Sequence, residues 1–213
     1  MSEFAKHLAD HSQWGEQGII LRFFGTHVGR FLDLGAYDGV DGSNSRGLTD
    51  RFWSGVCVEA NPFSFAWLVE NHSRNDKVVC VNAAVMPTAG LVLLRDTQSQ
   101  IASCSDNSLI DAAVVRRYHV AGVTPDDLAA TFGTEWDFVS IDIEGVDLAV
   151  LKVAGRLLEK TRLLCFEDAL PYHGFEPEYY DEVLGVLRGF GFTRIVGRTS
   201  TAERSANTLV ARP

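Results

Sequence analysis

Five short apolar runs, each closed by glycine, an acid or a turn, constrain this chain more than any other feature. They are RFLDLG (Arg30–Gly35), SGVCVEA (Ser54–Ala60), KVVCVNAAV (Lys77–Val85), WDFVSIDIE (Trp136–Glu144) and RLLCFED (Arg162–Asp168). None alternates polar with apolar residues, which is the pattern of parallel strands covered on both faces. Helical patterns lie between them. Pro62–His72 opens with a proline suited to a first turn and with Asn61 as its cap. Val146–Leu158 carries apolar residues at helical spacing, and Glu178–Phe192 is amphipathic and runs into glycine. TRIVGRT and NTLVARP then read as an antiparallel pair. The order predicts an α/β fold with an open, doubly wound, mainly parallel sheet. Ala89–Thr97 (AGLVLLRDT) adds a strand after the third run, and Gln98–Thr124 reads as loop.

With 213 residues the chain suits one α/β domain over 1–213, a helical cap segment at 1–29 preceding a core at 30–213. The net charge of -9 argues against nucleic acid as the main partner, because that affinity rests on basic side chains neutralising phosphates. No basic stretch followed by an apolar one opens the chain, and no run is long enough to span a bilayer. These features predict a soluble cytoplasmic protein with no membrane partner. Three of its four cysteines, Cys57, Cys80 and Cys165, sit in strand-like runs, and no C-x-x-C is present, so free thiols are expected.

Ligands of open α/β sheets sit beyond the carboxyl ends of the strands. The first run ends in DLGAYDG, where Asp33 is expected to be buried and Gly35 and Gly39 permit a tight turn and a close ligand; a plain turn is the alternative. A dinucleotide loop would need glycine where Tyr37 stands. Glu59, closing the second run, can accept both hydroxyls of a ribose. Asn82 offers a donor and an acceptor to an adenine edge, or serves as a turn residue. GSNS at Gly42–Ser45 opens a helix whose N–H groups could meet an anionic ligand group, with Ser43 at its start.

Asp142 and Glu144 end the fourth run, and Glu167 and Asp168 the fifth. Neighbouring strand ends would crowd these acids into one crevice. Three outcomes stay open: a hard cation such as Mg²⁺ between them, a general base without metal, or a structural role in capping the next helix. His173, just past FEDALPY, stands near the crevice mouth as a second candidate base. No paired-histidine metal motif and no G-x-S-x-G elbow is present.

FLDLGAYDGVDGSNS, GVCVEANPFSF, VNAAV and DFVSIDIEGVDLAVL, in this order and spacing, resemble the FkbM family of S-adenosylmethionine-dependent class I methyltransferases. SQWGEQGII (Ser12–Ile20) resembles the N-terminal segment of one branch, with Gln17 in place of the usual acid. The resemblance implies a Rossmann-like seven-stranded sheet whose last strand is antiparallel. It implies S-adenosylmethionine over the first strand ends, with Asp33, Gly35 and Gly39 at the methionine moiety, Glu59 at the ribose, Asn82 at the adenine and Asp142 near the amino group. The family mostly methylates hydroxyls, commonly of sugars. The acid pair at Glu167–Asp168 is similar instead to that of macrolide-sugar O-methyltransferases, which puts Asp142, Glu167 and Asp168 forward as Mg²⁺ ligands.

The resulting expectation is a monomeric or homodimeric O-methyltransferase for a sugar, oligosaccharide or other glycan. Either a metal bound by Asp142, Glu167 and Asp168 would lower the pKa of the hydroxyl, or Glu144 or His173 would remove its proton. A natural product or a protein is the alternative acceptor. An NAD-dependent oxidoreductase and a non-catalytic S-adenosylmethionine-binding module are the rival classes.

Overall fold

The computed structural model describes residues 9–98, 102–105, 113–168, 177–200 and 206–213. A seven-stranded sheet forms its centre. From one edge to the other the strands are β10 (Arg194–Ser200), β11 (Ala206–Ala211), β9 (Leu163–Glu167), β8 (Phe138–Ile141), β1 (Arg30–Leu34), β2 (Ser54–Glu59) and β3 (Val78–Asn82). The pairs β1–β2, β1–β8, β2–β3 and β8–β9 are parallel, and only β11 runs against its neighbours β9 and β10. This is the sheet expected from the sequence, closing antiparallel strand included.

Burial on both faces explains the unbroken apolar runs. Phe31 of β1 and Phe138 of β8 point to one face, where they meet Ile20 and Phe24 of α1 (Glu16–Phe24), Leu48 of α2 (Arg46–Thr49) and Leu68 of α3 (Pro62–His72). The next residues along, Leu32, Leu34, Val139 and Ile141, point to the other. There they pack with α4 (Pro125–Phe132), α5 (Asp147–Leu151) and α6 (Pro177–Gly189). Burying one such side chain stabilises the fold by roughly 1.5–3 kcal/mol. A charge at any of these positions would therefore disrupt one of the two layers.

Local chemistry sets the helix starts. Asn61 caps α3 by accepting from the Phe63 N–H at 3.0 Å, with Pro62 in the first turn. Thr124 and Asp127 cap α4 reciprocally, each side chain accepting from the other's backbone N–H. The helix expected to Leu158 ends at Leu151. Turns follow it, and they still bury Ala154, Leu157 and Leu158.

A second sheet departs from the sequence reading. β4 (Ala84–Val85), β7 (Arg116–Val123), β5 (Gly90–Asp96) and β6 (Ala102–Ser103) form it in that order. The third apolar run is thus two strands, split where the Ala83 N–H bonds to the Glu59 carbonyl and the chain leaves the main sheet. β5 is the added strand the sequence suggests, but its partner β7 lies in the stretch read as loop. RRYHVAGV is mostly exposed or half-buried, so it lacks the continuous apolar run of a core strand. All four cysteines are free. No helix among the described residues is long and apolar enough to cross a membrane.

Candidate functional site

The carboxyl ends of β1, β2 and β8 meet around one cleft. Gly35 turns the chain out of β1 with φ +86, and a Cβ there would lie 1.7 Å from the Asp142 carbonyl oxygen. Only glycine fits, so this residue lets the β1 and β8 ends converge. Tyr37, two residues on, is also left-handed, with φ +50. Its N–H donates to Glu59 Oε2 at 2.9 Å, and the Asn61 N–H donates to Oε1 at 2.7 Å. Glu59 thereby ties the β1 turn to the β2 turn. Burial pushes its pKa up to about 7 against the pull of those N–H groups. Asp33 lies beneath, accepting from Ser45 Oγ at 2.6 Å, and burial raises its pKa to about 6.

Three sequence expectations take a different form here. Gly39 does not border the cleft; it packs against Leu68 and His72, where a Cβ would come within 2.7 Å of each. Asn82 also stays behind the wall, because its amide donates to the Glu59 and Ala60 carbonyls at 2.8 and 3.2 Å. Ala60, Ala83, Ala84, Val85 and Met86 face the cleft instead and form an apolar wall. Ser43 does line the cleft, but its hydroxyl accepts from the Ser45 and Arg46 N–H groups at 3.3 and 3.1 Å. Those donors at the start of the four-residue α2 are therefore not free for a ligand.

The opposite wall is the loop after β8. Asp142 and Glu144 both border the cleft. Burial, then the neighbouring Asp147, pushes the Asp142 pKa up to about 7. Burial and the Asp142 charge hold the Glu144 carboxyl well above the usual carboxylate range. Asp147, an acid given no role in the sequence reading, organises the loop. Its oxygens accept from the Ile143 and Gly145 N–H groups, each at 3.0 Å. Glu167 is buried, its Oε2 has no hydrogen-bond partner, and burial with the surrounding acids lifts its pKa to about 11.

Asp168 corrects the metal expectation. Its carboxylate turns toward β10 and accepts from Arg198 Nε and Nη2 at 2.8 and 2.9 Å, and from the Thr208 hydroxyl. A guanidinium already neutralises this acid, so it cannot complete a Mg²⁺ site with Asp142 and Glu167. Among the described residues no three His, Cys, Asp or Glu side chains gather as metal ligands. His173 lies outside the described residues.

The N-terminal segment reaches the same cleft through Gln13. Glu16 anchors it. This carboxylate, fully buried, accepts from the Trp14 N–H at 2.9 Å, from Asn207 Nδ2 at 3.0 Å and from the Thr199 hydroxyl. Gln17 is a second anchor, with Nε2 donating to the Ala9 carbonyl at 2.8 Å.

The cleft holds about 870 Å³ of empty space, part of it open to solvent. Asp33, Asp41, Glu59, Asp142 and Glu144 border it, and among the described residues lining it there is no Lys, Arg or His. Such a surface favours a ligand with positive charge at one end and apolar rings at the other. A model of the methyltransferase FkbM domain matches residues 33–193. The chain belongs to the FkbM methyltransferase family. Methyltransferases of this family are S-adenosylmethionine-dependent.

Solved structures share the fold. A Methanococcus jannaschii fibrillarin pre-rRNA processing protein superposes with TM-score 0.53 at 14% identity, over 87% of this chain and 66% of its own. A putative RNA methyltransferase from Pyrococcus horikoshii gives 0.54 at 14% identity, over 92% of this chain and 81% of its own. Aeropyrum pernix fibrillarin with natively bound S-adenosyl-L-methionine gives 0.52 at 12% identity, over 85% and 66%. The FkbM chain thus spans slightly under two thirds of either fibrillarin. No curated protein sequence matches it.

Proposed function

We propose that this FkbM methyltransferase methylates a hydroxyl of a sugar, oligosaccharide or other glycan, with Glu144 as general base. The observation that carries this reading is the place of Glu144 in the cleft wall. Burial there beside Asp142 and Asp147 makes its carboxylate a stronger base than an exposed one. A neutral sugar hydroxyl is a poor nucleophile, and removal of its proton as the bond forms is the help it needs. S-adenosylmethionine supplies the methyl group on an already electrophilic sulfonium, so the chain's work is alignment and proton transfer.

In this reading Glu59 receives the ribose hydroxyls, each oxygen having a lone pair beyond the one its backbone N–H uses. Asp33, Gly35, Ser43 and Asp142 border the methionine end. Asn82 and Gly39 support the wall from behind. Asp142 shares proton binding with Glu144, so the pair titrates together. A cleft lined by carboxyls with no Lys, Arg or His among its described residues offers phosphates no counter-charge, which favours a neutral acceptor over RNA despite the fold shared with RNA methyltransferases. A cytoplasmic location, expected from the sequence, belongs to the same proposal.

The test compares wild type with Glu144→Gln on a panel of methyl glycosides, following methyl transfer by mass spectrometry. Loss of about 10²–10⁴ in rate, with S-adenosylhomocysteine affinity unchanged, supports the assignment. Undiminished transfer by the variant rejects it.

A further inference from the structure

The loop that carries Glu144 is held from its own helix and also from outside the main sheet. Glu144 has φ +56, a conformation that a residue with a Cβ rarely adopts. Asp147 secures it from its own helix, accepting from the N–H groups on either side, those of Ile143 and Gly145. The hold from outside is Ser103 on β6 of the inserted sheet. This serine is fully buried, and its hydroxyl donates to the Glu144 carbonyl at 2.5 Å. The same hydroxyl oxygen accepts from the Ser105 N–H at 3.0 Å. A serine hydroxyl has a single proton, so that proton is committed to Glu144.

The inserted sheet fixes Ser103 in turn. Ser103 pairs in register with Arg95 of β5, and Arg95 Nη1 donates to the Ser105 carbonyl at 3.1 Å. Leu94, Ala102 and Cys104 of the same segment border the cleft. A buried serine often does no more than satisfy a nearby carbonyl. Here the carbonyl belongs to the one left-handed, non-glycine residue of the loop, and that residue borders the cleft.

We propose that Ser103 is a positioning residue: its hydroxyl locks the left-handed Glu144 backbone and so sets the Glu144 carboxyl in the cleft. This rests on the reading of Glu144 as the base. It makes the inserted sheet part of the active site, since β6 supplies the hydrogen bond to the Glu144 carbonyl. Without that bond the loop relaxes to an ordinary backbone conformation and swings the carboxyl toward solvent.

The test needs no acceptor. The Glu144 carboxyl is titrated by carbon-13 NMR in the full chain, for wild type, S103A and S103T, with E144Q assigning the signal. Asp142, Asp147, Glu59 and Glu167 surround Glu144 and titrate in the same spectra. Burial is the largest cause of its raised pKa, so a carboxyl released to solvent becomes more acidic. We expect S103A to raise its acid dissociation constant about tenfold or more, S103T to behave as wild type, and S-adenosylhomocysteine affinity to hold in both. A serine that only supported the fold would lower the melting temperature without moving this titration. S103C, similar in size but a weak donor, replaces S103A should that variant not fold, and the same shift is expected. Titration of the folded variant superimposing on wild type overturns the proposal. The base assignment fails separately, through undiminished methyl transfer by E144Q.

Discussion

Gly35 and Asp142 touch through their backbones across the β1–β8 junction, so closely that a Cβ on Gly35 would lie 1.7 Å from the Asp142 carbonyl oxygen. The cleft exists because the two strand ends converge here. Gly35→Ala must therefore push them apart, and φ +86 adds strain of its own. We expect a loss of at least about 3 kcal/mol in urea unfolding, together with loss of S-adenosylhomocysteine binding.

Glu59 holds two backbone N–H groups from different turns. Glu59→Gln replaces one accepting oxygen with an amide that faces an N–H. One buried donor then loses its partner, at about 1–3 kcal/mol. Calorimetry with S-adenosylhomocysteine should show affinity falling roughly 10–100-fold, and a wild-type affinity would remove Glu59 from the site.

Asp33, Glu59 and Asp142 carry pKa values raised by burial to about 6, 7 and 7. The folded protein then holds more protons than the unfolded chain between about pH 4 and 7. Their contribution to stability is fully present below that window and lost as pH rises through it. His72 acts the other way: burial, then Arg46, lowers its pKa from 6.5, so it removes stability as pH falls below that value. The three acids together outweigh it. The melting temperature without cofactor should fall from pH 5 to pH 8. Binding of the cationic cofactor favours ionised carboxyls, so its affinity should rise over the same interval with protons released, and more steeply than that of uncharged-sulfur S-adenosylhomocysteine. Calorimetry in two buffers of different ionisation enthalpy measures this directly.

Asp168 is buried and fully engaged by Arg198 and Thr208. Arg198→Leu leaves a buried carboxylate uncompensated. With Arg198 partly exposed, the cost is about 1–3 kcal/mol, below that of a fully buried pair. Chelators should change neither the melting temperature nor the methyl-transfer rate; a chelator-sensitive rate would restore a metal to the reaction.

Where a segment is buried on both faces, its pattern predicts the fold well. β1, β2, β8 and β9 read as strands because both layers of core cover them; Asp33, Glu59, Asp142 and Glu144 from the first three border the cleft, whereas Glu167 and Asp168 at the end of β9 do not. β7 escapes notice because its residues are mostly half-buried or exposed. The capping box at Thr124 and Asp127 was a readable sign that a new helix starts there. Within the site, sequence position gives the neighbourhood of a side chain but not its partner. Asp142 and Asp168 both follow central strands, yet Asp142 borders the cleft and Asp168 meets an arginine 30 residues away in sequence. Ser103 and Glu144 are joined only through the second sheet, and Glu16 is bound by residues of β10 and β11. Long-range pairs of this kind leave no periodic trace in the sequence.

The most direct test of the account follows the methyl group itself. The protein is given S-adenosylmethionine carrying a carbon-13 methyl, with a mixture of methyl glycosides, RNA and a protein acceptor, and the product methyl is located by its NMR shift. The account predicts an O-methyl ether on a glycoside, absent with Glu144→Gln. An N-methyl signal, or label in RNA or protein alone, would contradict it.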